Sequence, residues 1–297
     1  MSDTLISLRR KIGSAGDLQS VVRTMKALAA ASVGQYEQSV RALGDYTRSV
    51  ELGLGACLRE GDRSARSTDA TPAADKGTTG AIVFGSDQGL VGQFNDVIAE
   101  FALETLSALP GRSLLWAVGE RVHERLANAA PEMPGGLAVP GSVDAIAPLV
   151  GRIQIEIERW QAAGDATQVY VFHNRPQAGA LYAPFALRLL PLDARWRHDL
   201  VKVRWPTHVL PELMDNGAAT LRALIREYLF ISLFRACAES LASENASRLA
   251  AMERADKNID DLLAMLQDAS RRQRQSSIDA ELFDVLAGFK ALSGPER

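Results

Sequence analysis

LAAMERADKNIDDLLAMLQDASRRQRQSSIDAELFDVLAGFKAL, residues 249–292, is the stretch that decides the fold. It holds no proline and a single glycine, Gly288. Apolar side chains recur at alternating steps of three and four: Leu249, Met252, Ile259, Leu262, Leu266, Ala269, then Ile278, Leu282, Val285, Phe289 and Leu292. That is the narrow seam of a helix winding on a partner, not the wider stripe of a helix lying on a globular core. The proline-free run reaches back to Glu212. At 1.5 Å per residue it predicts a helix on the order of 120 Å long, several domain diameters. A rod of that length needs a mate.

The mate is read at the other end. Residues 3 to 58 also lack proline and carry Leu5, Leu8, Ile12, Val22, Met25, Ala29, Val33, Tyr36, Val40, Leu43, Val50, Leu54 and Cys57 at the same spacing. Gly13, Gly16, Gly34, Gly44, Gly53 and Gly55 interrupt it, each costing roughly 1 kcal/mol against alanine. Packing along the seam must hold such a helix, and its small residues are expected to let two backbones approach closely. The expected architecture is α/β plus a long coiled coil. Helices from residues 1–60 and 211–297 run antiparallel, and a linker (61–79) and a Rossmann-like sheet domain (80–210) lie between them.

The charge balance, 33 basic against 36 acidic residues with pI near 5.9, argues against a nucleic-acid partner, since such domains carry a basic excess. Cys57 and Cys237 share no metal or redox spacing and read as buried thiols. No signal peptide is visible in the first residues. The most apolar window, Tyr228 to Ala238, is broken by Arg235 and falls short of the ~20 residues a span requires. A soluble chain is expected, held at any membrane by something else.

Within the insert, Glu60 to Gly80 reads as a loop. Ala81 to Phe84 reads as a buried strand, followed by a glycine-rich turn (Gly85 to Asn95) and a helix to about Leu109. Ser113 to Val118 and Gln168 to His173 are further strands; Glu120 to Asn128 and Val143 to Ala163 are helices. An irregular crossing runs through Pro131, Pro134, Gly135, Gly136, Pro140 and Gly141. This alternation predicts a small parallel sheet. Ala180 to Leu190 and Asp199 to Trp205 are expected as two added edge strands, antiparallel to the sheet.

The turn at Gly85 to Gly92 invites a nucleotide reading, because strand–glycine loop–helix units bind phosphates. Its spacing fits neither G-x-G-x-x-G nor the P-loop, and no acidic residue ends the second strand. Gly85, Gly89 and Gly92 are read instead as allowing a tight turn and close helix–sheet contact. His123, His173, His198 and His208 are scattered, without the spacing of a metal or catalytic set. Asp193, Arg195, Arg197 and His198 read as a solvated loop; Glu244/Arg248, Glu253/Lys257 and Asp268/Arg272 read as i,i+4 pairs on an exposed face. No catalytic residue, cofactor or metal is expected. If the N-terminal helix begins level with Arg271, Arg272, Arg274 and Gln275, the terminal seam projects as a single helix and calls for a socket on another protein.

The string Leu241-Ala242-Ser243-Glu244-Asn245-Ala246-Ser247-Arg248-Leu249-Ala250-Ala251-Met252 resembles the signature helix of the gamma-subunit family of F-type ATP synthases. Arg274-Gln275 with Ile278, Glu281-Leu282 and Gly288 resembles the same family's terminal motif. Arg9-Arg10-Lys11-Ile12, Val21 to Lys26, Ala29-Ala30-Ala31-Ser32 and Ser86-Asp87-Gln88-Gly89-Leu90-Val91-Gly92 match it in the same order. The resemblance implies a non-catalytic rotor shaft coupling ion-driven ring rotation to ATP synthesis or hydrolysis. Its implied partners are the alpha and beta subunits, the epsilon subunit and a membrane ring, on the cytoplasmic face of a membrane. It places Met25 and Lys26 at a moving beta-subunit loop, and Arg274, Gln275 and Glu281 at a second stator loop. The tip, Ile278, Leu282, Val285, Phe289 and Leu292, would turn in an apolar sleeve. The chain departs from the family pattern at Val33 to Gln38, where basic residues are usual, and at Asp256 and Asp279, where threonine is. Gln88, Val91 and Gln93 replace the usual Arg, Cys and Gly. Two other readings stay open: a nucleotide-binding enzyme, and a coiled-coil scaffold unrelated to rotation.

Overall fold

In the computed structural model, residues 2–64, 77–127, 135–177, 179–209, 211–212 and 217–292 are described, with side chains of the two terminal helices from 5 to 60 and up to 289. The chain resolves into two compact units, residues 1–29 with 249–297, and residues 30–248. In order the elements are α1 (Ser2–Ser64), β1 (Thr79–Phe84), α2 (Phe94–Ser107), β2 (Ser113–Val118), α3 (Glu120–Ala127), β3 (Gly135–Leu137), α4 (Ile146–Ala163), β4 (Gln168–Gln177), β5 (Ala180–Leu190), α5 (Ala194–Lys202) and α6 (Gly217–Leu292).

In the first unit α1 and α6 pack antiparallel. Val22, Met252 and Ile259 are buried together, with Met25, Ala251, Ala255 and Leu263 against them. The register is fixed by polar ties: Gln19 donates to both Asp256 and Asp260, and Arg23 Nε lies 3.1 Å from Asp256. Two details differ from the expected seam. Leu263, not Leu262, faces α1; Leu262 is 42% exposed. From Ile259 an undistorted helix returns to the same face after four residues, not three. Four of the six glycines mark no close approach: a Cβ at Gly13 or Gly16 here, or at Gly34 or Gly44 in the second unit, would meet nothing within 4 Å, whereas one at Gly53 would stand 3.2 Å from Leu224 and one at Gly55 2.6 Å from the Leu200 carbonyl oxygen.

The second unit is built on a five-stranded sheet of order β3-β2-β1-β4-β5. The first four strands are parallel and β5 is antiparallel to β4. Strand alternation sorts the core. Ala81 and Val83 pack on Ile98, Ala102, Val122 and Leu126 of α2 and α3. Ile82 and Phe84 face Ile146, Val150 and Ile153 of α4 and Leu233, Ala236, Cys237 and Leu241 of α6. Here too α1 runs antiparallel to α6. Val50, Leu54 and Leu58 pack near Ile231 and Leu224, and Tyr46 Oη donates to Glu227 at 2.7 Å. Both cysteines are buried and free.

The second expected edge strand is not one. Residues 194–202 form α5, started by Asp193, whose carboxylate accepts from the Trp196 amide at 2.7 Å. Val201, Val203 and Trp205 alternate like a strand, but Trp196 and Leu200 at i,i+4 seat the segment on Leu54 and Tyr228 as a helix. The expected crossing contains a short strand, β3, paired to Trp116–Val118; Pro131 and Pro134 lie outside the described residues, as does most of the expected linker.

Candidate functional site

The glycine-rich turn is filled by the chain itself. Asp87 accepts hydrogen bonds from the backbone amides of Glu120 and Val139, both at 2.9 Å, so a carboxylate of the turn caps the α3 N-terminus and ties the turn to the segment after β3. The Ser86 amide donates to Asn95 Oδ1, and Asn95 Nδ2 returns to Ser86 Oγ at 2.8 Å. Ser247 of α6 donates to the Val91 carbonyl at 2.6 Å, and Ser243 to that of Asn174 at 3.1 Å. The crevice beyond the strand ends, where open α/β sheets take ligands, is thereby taken up by α6. A Cβ on Gly85 would stand 2.3 Å from that of Val122, and Gly92 has φ 59°, so both glycines are required. Gly89 faces open space.

One buried ionic cluster has no signal in the local sequence, and one expected pair lies buried. His173 Nε2 lies 2.9 Å from Glu239 Oε2, and Arg235 Nε lies 2.9 Å from the other oxygen. Burial pushes the Glu239 carboxyl upward, but the hydrogen bonds from His173 and Arg235 outweigh it and leave its pKa below the ordinary value. Glu244 meets Arg248 at 2.6 Å with both side chains largely buried, not on an exposed face as expected. Here burial prevails over the arginine, and the Glu244 pKa is raised. The expected pair at Asp268 forms instead to Arg271, at 2.9 Å. Burial also pushes the Cys237 thiol far up, so it is inert. Among the described residues no group of three His, Cys, Asp or Glu side chains gathers as a metal site would require.

The expected contact residues lie in the two-helix unit. Met25 is half-buried on the seam, and Lys26 Nζ lies 3.8 Å from Asp256. Arg274, Gln275 and Glu281 are exposed. Four residues forward on α1 correspond to four back on α6, and this register sets Arg274 and Gln275 level with the first turn of α1. Beyond it, Ile278, Leu282, Phe283, Val285, Leu286 and Phe289 are 53–71% exposed; the Leu292 side chain lies outside the described residues.

A family model described as ATP synthase matches residues 4–292. The chain is 27% identical to a protein named ATP synthase gamma chain from Glaesserella parasuis, over 96% of this chain and 98% of that one. It is 26% identical to the gamma chain of Rhizobium johnstonii, over 97% and 99%. In fold it is similar to a rotor chain of the Euglena gracilis mitochondrial ATP synthase, with TM-score 0.66 and 14% identity over 94% of this chain and all of that one. A central-stalk chain from Tetrahymena thermophila gives TM-score 0.55 at 23% identity, covering 79% and 99%.

Proposed function

Since the chain belongs to the ATP synthase gamma-chain family, we propose that it is the central, non-catalytic rotor shaft of such a complex. The α1–α6 pair would stand inside a hexamer of alpha and beta subunits, and the sheet unit would form the foot, seated with an epsilon subunit on a membrane ring. Ring rotation would turn the shaft, and side-chain contacts that change with angle would drive the catalytic sites through their nucleotide states. The observation that carries this reading is the end of α6: an apolar helix running past the start of its partner, where water would be a poor neighbour. An apolar sleeve in the hexamer answers it. Met25 and Lys26 stand at the height of a moving beta-subunit loop. Arg274, Gln275 and Glu281 are assigned to a second stator loop.

The packing of α6 over the strand ends, through Ser243 and Ser247, speaks against the nucleotide-enzyme alternative. No helix among the described residues is long and apolar enough to cross a membrane. Peripheral attachment at the cytoplasmic face, through the ring, fits that. Co-expression with alpha and beta subunits tests the proposal. A complex should co-purify whose ATP hydrolysis pumps ions, and a chain that purifies alone would overturn it.

A further inference from the structure

Between α1, α6 and the β4–β5 side of the sheet lies a cavity of about 230 Å³, wholly within the second unit. Strand alternation turns His173 and Arg175 of β4 to it, beside Phe185 and Leu187 of β5. Helical spacing brings Ile231, Arg235 and Glu239 of α6, four residues apart on one face, and α1 adds Glu51. Arg175 and Arg235 are exposed and stand at its mouth; His173, Ile231 and Glu239 are buried.

The charges in this cavity are unevenly answered. His173 and Arg235 both hold Glu239, each at 2.9 Å. Arg175 lies over the Phe185 ring, its Cζ 4.6 Å from the centroid, and among the described residues it has no carboxylate partner. Glu51 has no cation partner among them either. A guanidinium and a carboxylate thus line one small space, each without a counter-charge from the chain.

His173 leaves a third group open. Its side chain is 3% exposed. Glu239 is held in its ionised form and accepts from Arg235, so it accepts from His173 Nε2–H as well. In the neutral ring Nδ1 then presents a lone pair, and that atom is buried with no hydrogen-bond partner. A buried polar atom left unpaired is costly, so a donor belongs there. Water would satisfy the ring nitrogen but gives Arg175 and Glu51 no counter-charge.

We infer that this cavity binds a small aliphatic α-amino acid. Its carboxylate meets the Arg175 guanidinium, its ammonium donates to Glu51 and to His173 Nδ1, and its side chain lies on Leu187, Ile231 and Ala236. A zwitterion adds no net charge to a cavity whose two arginines and two glutamates already balance, whereas a simple anion or cation would leave Glu51 or Arg175 unanswered. The volume is at the small end of ligand pockets and suits a molecule of this size. Every residue involved belongs to the second unit, so the inference stands apart from the shaft reading.

Isothermal titration of the full chain with L-leucine tests it, beside two fragments of the same body: isocaproate, which lacks the ammonium, and isoamylamine, which lacks the carboxylate. Leucine should bind with Kd on the order of 0.1–1 mM, the strength open to so small a ligand. Each fragment should bind at least about tenfold more weakly, the loss of one charge-assisted contact. Arg175→Gln and Glu51→Gln should each weaken leucine about tenfold. Neither side chain is ion-paired among the described residues, and circular dichroism should report unchanged helix content in both variants. In nitrogen NMR of the parent, the His173 Nδ1 signal should move as leucine saturates the site. The inference is overturned by no binding of leucine at about tenfold above that Kd range, by a fragment that binds as tightly as leucine, by either variant binding leucine as the parent does, or by an unmoved Nδ1 signal at saturation.

Discussion

Replacing Gly13 and Gly16 together by alanine should stabilise the two-helix unit. Both are interior to α1, and a Cβ at either would meet nothing within 4 Å. The change therefore adds no clash and no packing, and what remains is helix propensity. That is worth about 0.8–1 kcal/mol per glycine, or about 2 kcal/mol for the pair. At 1.4 kcal/mol per decade this slows amide exchange limited by opening of the unit by roughly 15–30-fold. Hydrogen exchange followed by mass spectrometry should show the slowing in peptides from residues 5–29 and 249–270. Gly55→Ala supplies the opposite sign within the same helix. Its Cβ would lie 2.6 Å from the Leu200 carbonyl oxygen, so α5 must shift, at a cost of about 1–3 kcal/mol that outweighs the propensity gain. If the Gly13/Gly16 variant exchanges as fast as the parent or faster, the glycines face a surface the isolated chain already uses, and the assignment of open space around them is wrong.

Asp256→Asn should destabilise the unit by about 1 kcal/mol at low salt and by less at high salt, because it releases Arg23 and Lys26 from partly exposed pairs; urea unfolding at two ionic strengths reads it. Met25→Lys should change stability by less than about 1 kcal/mol, since the residue is only half-buried, while impairing coupling of hydrolysis to pumping; normal coupling in that variant would refute the contact assigned to it. The buried carboxylates should respond to pH in opposite directions. The lowered pKa of Glu239 means its stabilisation is present above the ordinary carboxylate pKa and is lost as pH falls through the folded value. The raised pKa of Glu244 means its contribution is present at low pH and lost as pH rises through the folded value. Unfolding midpoints should therefore fall more for Glu239→Gln than for Glu244→Gln at pH 7, and the gap should close towards pH 4.

Both terminal helices were legible because their signal is long and repeated. Every seam residue named on α1, from Leu5 to Cys57, is buried or half-buried. A repeat of seven still leaves the phase free by one residue locally, which is why the pattern favours Leu262 where Leu263 lies on the seam. Short elements carry too few repeats to decide by pattern. Residues 199–205 alternate like a strand, and only the Asp193 cap and the Trp196/Leu200 pair reveal α5. β3 is three residues, two of them glycine, and borrows its conformation from β2. The His173–Glu239 pair joins residues 66 apart; no local spacing announces it, although a histidine in the apolar run of β4 hinted that something buried must answer it. Asp87 was visible as part of a motif, but its part in closing the turn depends on Glu120 and Val139 arriving there. The departure at Asp256 takes its meaning from Arg23 and Lys26, which α1 brings beside it from more than 200 residues away in sequence.

Observing the shaft turn is the most direct test. Cys57 and Cys237 are buried, so Ile155→Cys, at a site 61% exposed on α4, gives a selective attachment point for a bead on a complex whose alpha and beta subunits are fixed to glass. Stepwise rotation in one direction, dependent on ATP, is the predicted result. Steady hydrolysis under a bead that only fluctuates would contradict the account.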